Sequence, residues 1–113
     1  MLNSSDSLSL KSQRIFEAVA DPSRRRILRL VADQEMSIAA IAKEFSIGRT
    51  AVNKHLRVLQ EAGLVRNRRV GRETRYRLQP EPLQKIESWL AFFEPYWTDK
   101  LRALAKFVES DEV

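Results

Sequence analysis

Cysteine is absent from the 113-residue chain, which excludes disulfides, thiolate metal sites and a cysteine nucleophile. Glycine is scarce: Gly48, Gly63 and Gly71 all fall in turn-like stretches, so no glycine-rich phosphate loop can be built. His55 is the single histidine. A metal site would therefore need clustered carboxylates, and none are spaced for it. No apolar run approaches the ~18 residues that suggest a membrane span. The opening MLNSSDSLSLKSQ has no apolar signal-peptide core. No nucleophile–base pair is suggested by the spacing of the serines and acids. The expectation is a cytoplasmic protein that is not an enzyme, holds no metal or cofactor, and does not contact membranes.

What the chain does have is positive charge. Lys and Arg number 20 against 15 Asp and Glu, a net charge of +5 with a pI near 10.0. Such an excess favours polyanionic partners such as nucleic acid. Hydrophobic residues at 43% and charged residues at 31% suit one soluble domain with a modest core.

Residues 48–63, GRTAVNKHLRVLQEAG, organise the rest. At a helical period, Ala51, Val52, Leu56, Val58, Leu59 and Ala62 fall on one side. Arg49, Thr50, Asn53, Lys54, Arg57, Gln60 and Glu61 fall on the other. Gly48 suits the N-cap and Gly63 a left-handed C-cap. Exposed Arg, Thr, Asn and Lys form the residue set that reads base edges and phosphates in a major groove. Taken alone, that face equally suits an ordinary solvated helix. His55 falls towards Leu59 and Ala62, away from the basic face, and reads as a partly buried structural residue.

The neighbouring segments decide between these readings. A first helix is expected over residues 8–20, with Leu8, Ile15, Phe16 and Val19 as its apolar members. Asp21-Pro22 is an N-cap followed by a first-turn proline, opening a second helix over 22–32 that buries Ile27, Leu28 and Val31. Arg24, Arg25 and Arg26 read evenly as solvated surface or as phosphate or dimer contacts. Met36 suits a very short strand, and Ser37 caps a third helix over 38–45 with Ile38, Ile41, Ala42 and Phe45 inward. Ser46-Ile47-Gly48 then connects tightly to the organising helix, which is the helix-turn-helix pattern. Residues 64–78, LVRNRRVGRETRYRL, form two alternating runs about a Val70-Gly71-Arg72 tip. Arg66, Arg68, Arg69, Arg72, Arg75 and Arg77 repel one another there unless a polyanion or solvent screens them. A helix-turn-helix followed by a basic hairpin is a winged helix, its wing lying along the DNA backbone or in the minor groove.

Beyond the two prolines of Gln79–Pro82, Leu83, Ile86, Leu90, Phe93, Trp97, Leu101, Leu104 and Val108 recur at helical spacing. That stripe is too long for a wing-sized domain to cover. With Ile15 and Phe16 of the first helix it reads as a homodimer interface. Pro95 should kink or split the helix near Phe93-Glu94. The aromatic run Trp89, Phe92, Phe93, Tyr96 and Trp97 suits core or subunit contact better than a small-molecule pocket. The expected fold is mainly α with a β-hairpin: five helices plus a wing and a helical dimer interface. Residues 8–109 form one domain between tails at 1–7 and 110–113.

Three stretches carry a family resemblance: DPSRRRILRLV, SIAAIAKEFSIGRTAVNKHLRVLQEAGLV and RNRRVGRETRYRL. They resemble the ArsR/SmtB type of winged-helix regulator, the arsenical-resistance-repressor family. The resemblance implies a homodimeric transcriptional regulator, commonly a repressor, with its first and last helices at the dimer contact. It also implies a recognition helix entering the major groove from Arg49. Metal-sensing members carry cysteines in the helix matching 38–45, or Asp/His pairs on the last helix. This chain has neither and is similar to the non-metal-sensing subgroup. An unknown small molecule or a partner protein remains open as effector.

The leading expectation is a dimer binding duplex DNA at a palindromic operator. Arg49, Thr50 and Asn53 would read bases, and Lys54, Arg57 and Arg77 would hold phosphates. Arg68, Arg69, Arg72 and Arg75, with Arg77, form the wing. The alternative is a winged-helix interaction module whose basic face meets an acidic protein.

Overall fold

The structure, a computed structural model, describes residues 4–111 of the chain, and the side chains of residues 10–109. Helix α1 spans Ser4–Val19, α2 Pro22–Asp33 and α3 Ile38–Ala42, with the two-residue strand β1 at Met36–Ser37 between the last two. Helix α4, Arg49–Glu61, leads into strands β2 (Val65–Val70) and β3 (Glu73–Leu78). A 3-10 turn at Glu81–Leu83 opens α5 (Gln84–Phe92), and α6 follows over Glu94–Asp111.

Local chemistry explains most of these boundaries. Asp21 caps α2: its Oδ1 accepts from the Arg24 backbone N–H at 3.1 Å, with Pro22 in the first turn. Ser37 caps α3 in the same way, its Oγ accepting from the Ala40 N–H at 3.1 Å. Gly63 ends α4 at φ +75, as its sequence position suggested. The Leu64 N–H returns to the Leu59 carbonyl and the Gly63 N–H to Gln60, both at 2.9 Å, the paired bonds of a Schellman motif. Leu59 and Leu64, which bracket that turn, are fully buried. Gly48 stands at the N-cap of α4 in ordinary extended backbone, φ −69, and offers no capping side chain.

The core sits where α1, α2, α3, α4 and the sheet meet. Ile27, Leu28 and Val31 of α2 and Val52, Leu56 and Leu59 of α4 face it, with Ile15, Ala18, Ile41, Leu64, Val65 and Tyr76. The sheet is three-stranded and antiparallel in the order β1-β3-β2. Met36 therefore does lie in a strand, paired with Tyr76. Gly71, at φ +61, and Arg72 form the two-residue loop between β2 and β3. With positive φ at the first loop position only, the loop has the dihedral pattern of a type II′ turn, which matches the twist of paired strands.

Several boundaries differ from the sequence reading. Helix α1 begins at Ser4, so residues 4–7 of the expected tail are helical. Likewise α6 continues to Asp111. Residues 1–3 and 112–113 of the two tails lie outside the described residues, as does the side chain of Leu8. Helix α3 stops at Ala42 rather than Phe45, its final turn tightening through Glu44 N–H to Ile41 and Phe45 N–H to Ala42 bonds. The described residues form six α-helices instead of five, because the chain breaks at Phe93. Pro95, in the first turn of α6, has no N–H to continue α5, so the split falls where proline placed it.

Candidate nucleic-acid interface

Helix α4 presents the face that its periodicity foretold. Val52, Leu56 and Leu59 are buried, while Arg49, Thr50, Asn53, Lys54, Arg57 and Gln60 are exposed. The first turn of α4 meets the wing tip: Arg49, Arg72, Glu73 and Thr74 line a small recess with Ser37, Ile38 and Ala39. The amino end of the helix and the end of the hairpin thus form one continuous edge, with two arginines beside it.

The hairpin register sorts its arginines onto two faces. Residues directly opposite share a face: Asn67 with Tyr76 and Arg69 with Thr74 on one, Arg66 with Arg77 and Arg68 with Arg75 on the other. Tyr76 is buried against the helices, so Arg69 shares the face on which the core packs. Its Nε also donates to the Gly71 carbonyl at 3.4 Å, close to the tip. Arg66, Arg68, Arg75 and Arg77 project from the outer face. Arg68 grips Glu35 there, donating from Nε at 2.6 Å and from a terminal nitrogen at 2.9 Å. The hydrogen bonds from Arg68 hold the Glu35 carboxyl below its ordinary range, with the charges of Arg68, Arg75 and Arg77 adding to the effect. The same pairing raises Arg68. Arg75 donates to Glu73 at 3.1 Å.

The three arginines at the start of α2 have a use that the sequence did not suggest. Arg24 Nε donates to the Ala18 carbonyl at 2.7 Å and a terminal nitrogen to Glu17 at 2.9 Å. Arg25 donates to the Val19 carbonyl at 2.8 Å. Both therefore cap the carboxyl end of α1, whose partial negative charge favours cations. Arg26 lies over the Phe45 ring at 4.8 Å and 3.8 Å from Glu44.

Residues 19–68 match a family described as a helix-turn-helix domain. The chain is 32% identical over 98 residues to an HTH-type transcriptional regulator of Mycobacterium tuberculosis, spanning 87% of this chain and 89% of that protein. The transcriptional repressor SdpR of Bacillus subtilis is 33% identical over 79 residues, 70% of this chain and 88% of its own length. Among solved structures, an ArsR-like transcriptional regulator from a Rhodococcus species is 32% identical with a TM-score of 0.72, covering 92% of this chain and 95% of that one. The chain belongs to the ArsR family. A homodimeric winged helix-turn-helix DNA-binding domain from Mycobacterium bovis is 25% identical, with a TM-score of 0.67 over 88% of this chain and 93% of that one. The family is one of transcriptional regulators, which are not enzymes.

In this ArsR-family protein the residues expected at a subunit contact divide into three groups. Ile15 is a correction: it is 5% exposed in the isolated protomer and belongs to the core, on the inner side of α1. Leu83 and Ile86 are half-buried and pack against that core from outside. Phe16, Leu90 and Phe93 are half-buried, while Trp97, Leu101 and Leu104 are exposed. Phe16, Trp89, Phe93 and Phe92 form an edge-to-face chain with ring centroids 5.6, 5.1 and 5.0 Å apart. His55 is half-buried on α4, its Nδ1 3.3 Å from Arg24. Sequence reasoning missed Glu35, which holds Arg68 of the wing. It also missed the Asn67–Gln60 bond of 3.2 Å that ties the wing to α4.

Proposed function

We propose that this ArsR-family protein is a homodimeric, sequence-specific regulator that binds duplex DNA at an imperfect palindrome and represses transcription from it. The observation that carries the reading is the joined edge of α4 and the wing tip, where Arg49 and Arg72 border one recess. A recognition helix and a wing set side by side can engage a major groove and the backbone beside it together.

Arg49, Thr50 and Asn53, all exposed on the first turns of α4, take base edges; arginine to guanine and asparagine to adenine are the favoured pairings. Lys54 and Arg57 lie further along the same face and hold phosphates. Arg69 and Arg72 carry the wing contact, since the face or position of each is nearest α4 and the tip.

The shape of the protomer supports a dimer. Its radius of gyration is 18.7 Å, where a compact chain of this length would have roughly 13 Å. The excess reflects α6, whose main contact among the described residues is with α5. Trp97, Leu101, Leu104 and Val108 remain 46–62% exposed along one stripe of it. A second copy related by a two-fold axis would cover that stripe, and a dimer reading successive major grooves needs its two α4 helices about 34 Å, one turn of B-DNA, apart. The name of SdpR supports repression as the outcome.

Selection of bound duplexes from a random pool tests the reading. The expected result is a two-fold-related motif with half-sites about 10 bp, or a multiple, apart. Recovery of unrelated sequences, or binding indifferent to salt, would instead favour an acidic protein as the partner.

A further inference from the structure

The wing carries a second feature, set back from the edge just described. Arg66 lies directly opposite Arg77 and Arg68 opposite Arg75, so like charges face each other twice, in alternate pairs on one face of the ladder. Like charges directly opposite destabilise a sheet. Such a local conflict, in a fold otherwise consistent with its sequence, marks a functional or strained site.

The protein answers only part of the repulsion. Glu35 takes Arg68 and Glu73 takes Arg75. Among the described residues the side chains of Arg66 and Arg77 make no hydrogen bond or ion pair, and Arg77 acts on Glu35 only through space. Together with Glu35, Asn67 and Arg68 they line a recess of about 460 Å³. Arg66 stands five positions before the tip at Gly71, about 16 Å of extended strand. The recess is therefore at the root of the wing, on the sheet face turned away from α4.

We propose that this recess is a binding site for a phosphoryl anion, held by Arg66 and Arg77 and joined by Arg68 when it leaves Glu35. Guanidinium groups present planar forks of N–H donors that match the oxygens of a phosphoryl group. The Glu35 carboxylate shows this fit already, taking two parallel bonds from Arg68 as a phosphoryl oxygen pair would. The phosphoryl group has two chemical sources: DNA backbone flanking the sequence under α4, or a free polyphosphate. The inference rests on the register of the sheet and stands apart from the role given to α4. Loss of base preference at Asn53 bears on that role alone.

Titrating the full chain with inorganic tripolyphosphate, followed by calorimetry and by arginine side-chain NMR, is the first arm. Saturable binding should move the Arg66 and Arg77 Nε–H resonances. It should weaken at least tenfold in the Arg66→Ala/Arg77→Ala variant and tighten in Glu35→Gln, which frees Arg68. Both arginines are exposed, so a thermal melt of the double variant should be no lower than that of the parent. In the second arm, the salt dependence of binding is compared for a duplex limited to the selected motif and for one extended on both sides. A shallower salt slope for the double variant on the extended duplex alone identifies DNA backbone as the source. Tripolyphosphate binding with no such difference identifies a free anion. Unsaturable or absent tripolyphosphate binding together with equal slopes on both duplexes overturns the proposal. So does tripolyphosphate binding that the double variant leaves unchanged.

Discussion

The Arg24 guanidinium reaches Nδ1 of His55 at 3.3 Å while its other nitrogens cap the end of α1. Arginine offers donors only, so Nδ1 must accept, which fixes the proton of a neutral ring on Nε2. One side chain of α2 therefore ties the end of α1 to the flank of α4.

Arg24→Ala should cost about 1–3 kcal/mol, because it leaves carbonyls of α1 and His55 without their donor at once. Arg24→Lys should recover little of this, since an ammonium on a flexible stem cannot reproduce the fork. Urea unfolding of the parent and both variants checks this; a lysine variant as stable as the parent would count against the three-way role.

Asn53→Ala should lose about 1–3 kcal/mol on the selected operator and little on random duplex, relaxing preference at one base position. Arg69→Ala should weaken every duplex alike and lower the salt slope by about 1. Fluorescence anisotropy across a salt series separates the two. Equal losses on specific and random DNA for Asn53→Ala would remove it from base reading.

Gly63→Ala should destabilise the protein by about 1 kcal/mol. The new Cβ would meet Pro82 at an ordinary 3.7 Å, so the cost comes from φ +75 and not from crowding. Gly48→Ser should be neutral or gain a few tenths of a kcal/mol, since it adds a capping hydroxyl at a position with open space around it. Thermal melts of the two variants should therefore move in opposite directions or leave the serine variant unmoved.

Asp21 and Glu35 both titrate below the ordinary carboxylate range. For Asp21 the main cause is the hydrogen bond from the Arg24 backbone N–H, with the Ser23 backbone N–H and the Arg24 charge adding to it. The Arg68 hydrogen bonds act first on Glu35. A depressed folded-state pKa means the unfolded chain binds more protons between the two values. The contribution is complete above the unfolded pKa, about 4, and is lost as pH falls through the folded one. Unfolding midpoints should thus stay level near neutral pH and drop in acid, and Asp21→Asn or Glu35→Gln should each flatten that drop. An unchanged acid limb in both variants would show that these carboxylates do not govern it.

Leu101→Glu/Leu104→Glu should convert a species of twice 13.1 kDa into one of 13.1 kDa by light scattering. A charge at each of two facing apolar positions cannot be buried unpaired. A parent that already scatters as one chain at micromolar concentration would refute the dimer.

Where side-chain periodicity governs structure, the sequence was readable. Val52, Leu56 and Leu59 are buried at the spacing that a helix requires, while Gly63 ends α4 and Pro95 ends α5 by their own backbone limits. Long-range pairing was not readable in this way. Nothing local shows that Arg24 and Arg25 would cap the preceding helix, because α1 returns beside them only after the chain turns at Asp21. Glu35 and Arg68 are 33 positions apart and meet only through the β1–β3–β2 order. Ile15 was joined to the long C-terminal stripe by its apolar character alone, whereas α1 packs on both α2 and α4 and takes Ile15 into the core.

Helix α6 has one further consequence. A helix whose main support within the protomer is a single neighbour draws its order from whatever covers its apolar stripe. If that cover is a second chain, ordering of the helix and pairing of the chains become one equilibrium, governed by mass action. Occupancy of the operator would then rise more steeply than in proportion to the number of chains in the cell, and dilution alone would release the DNA.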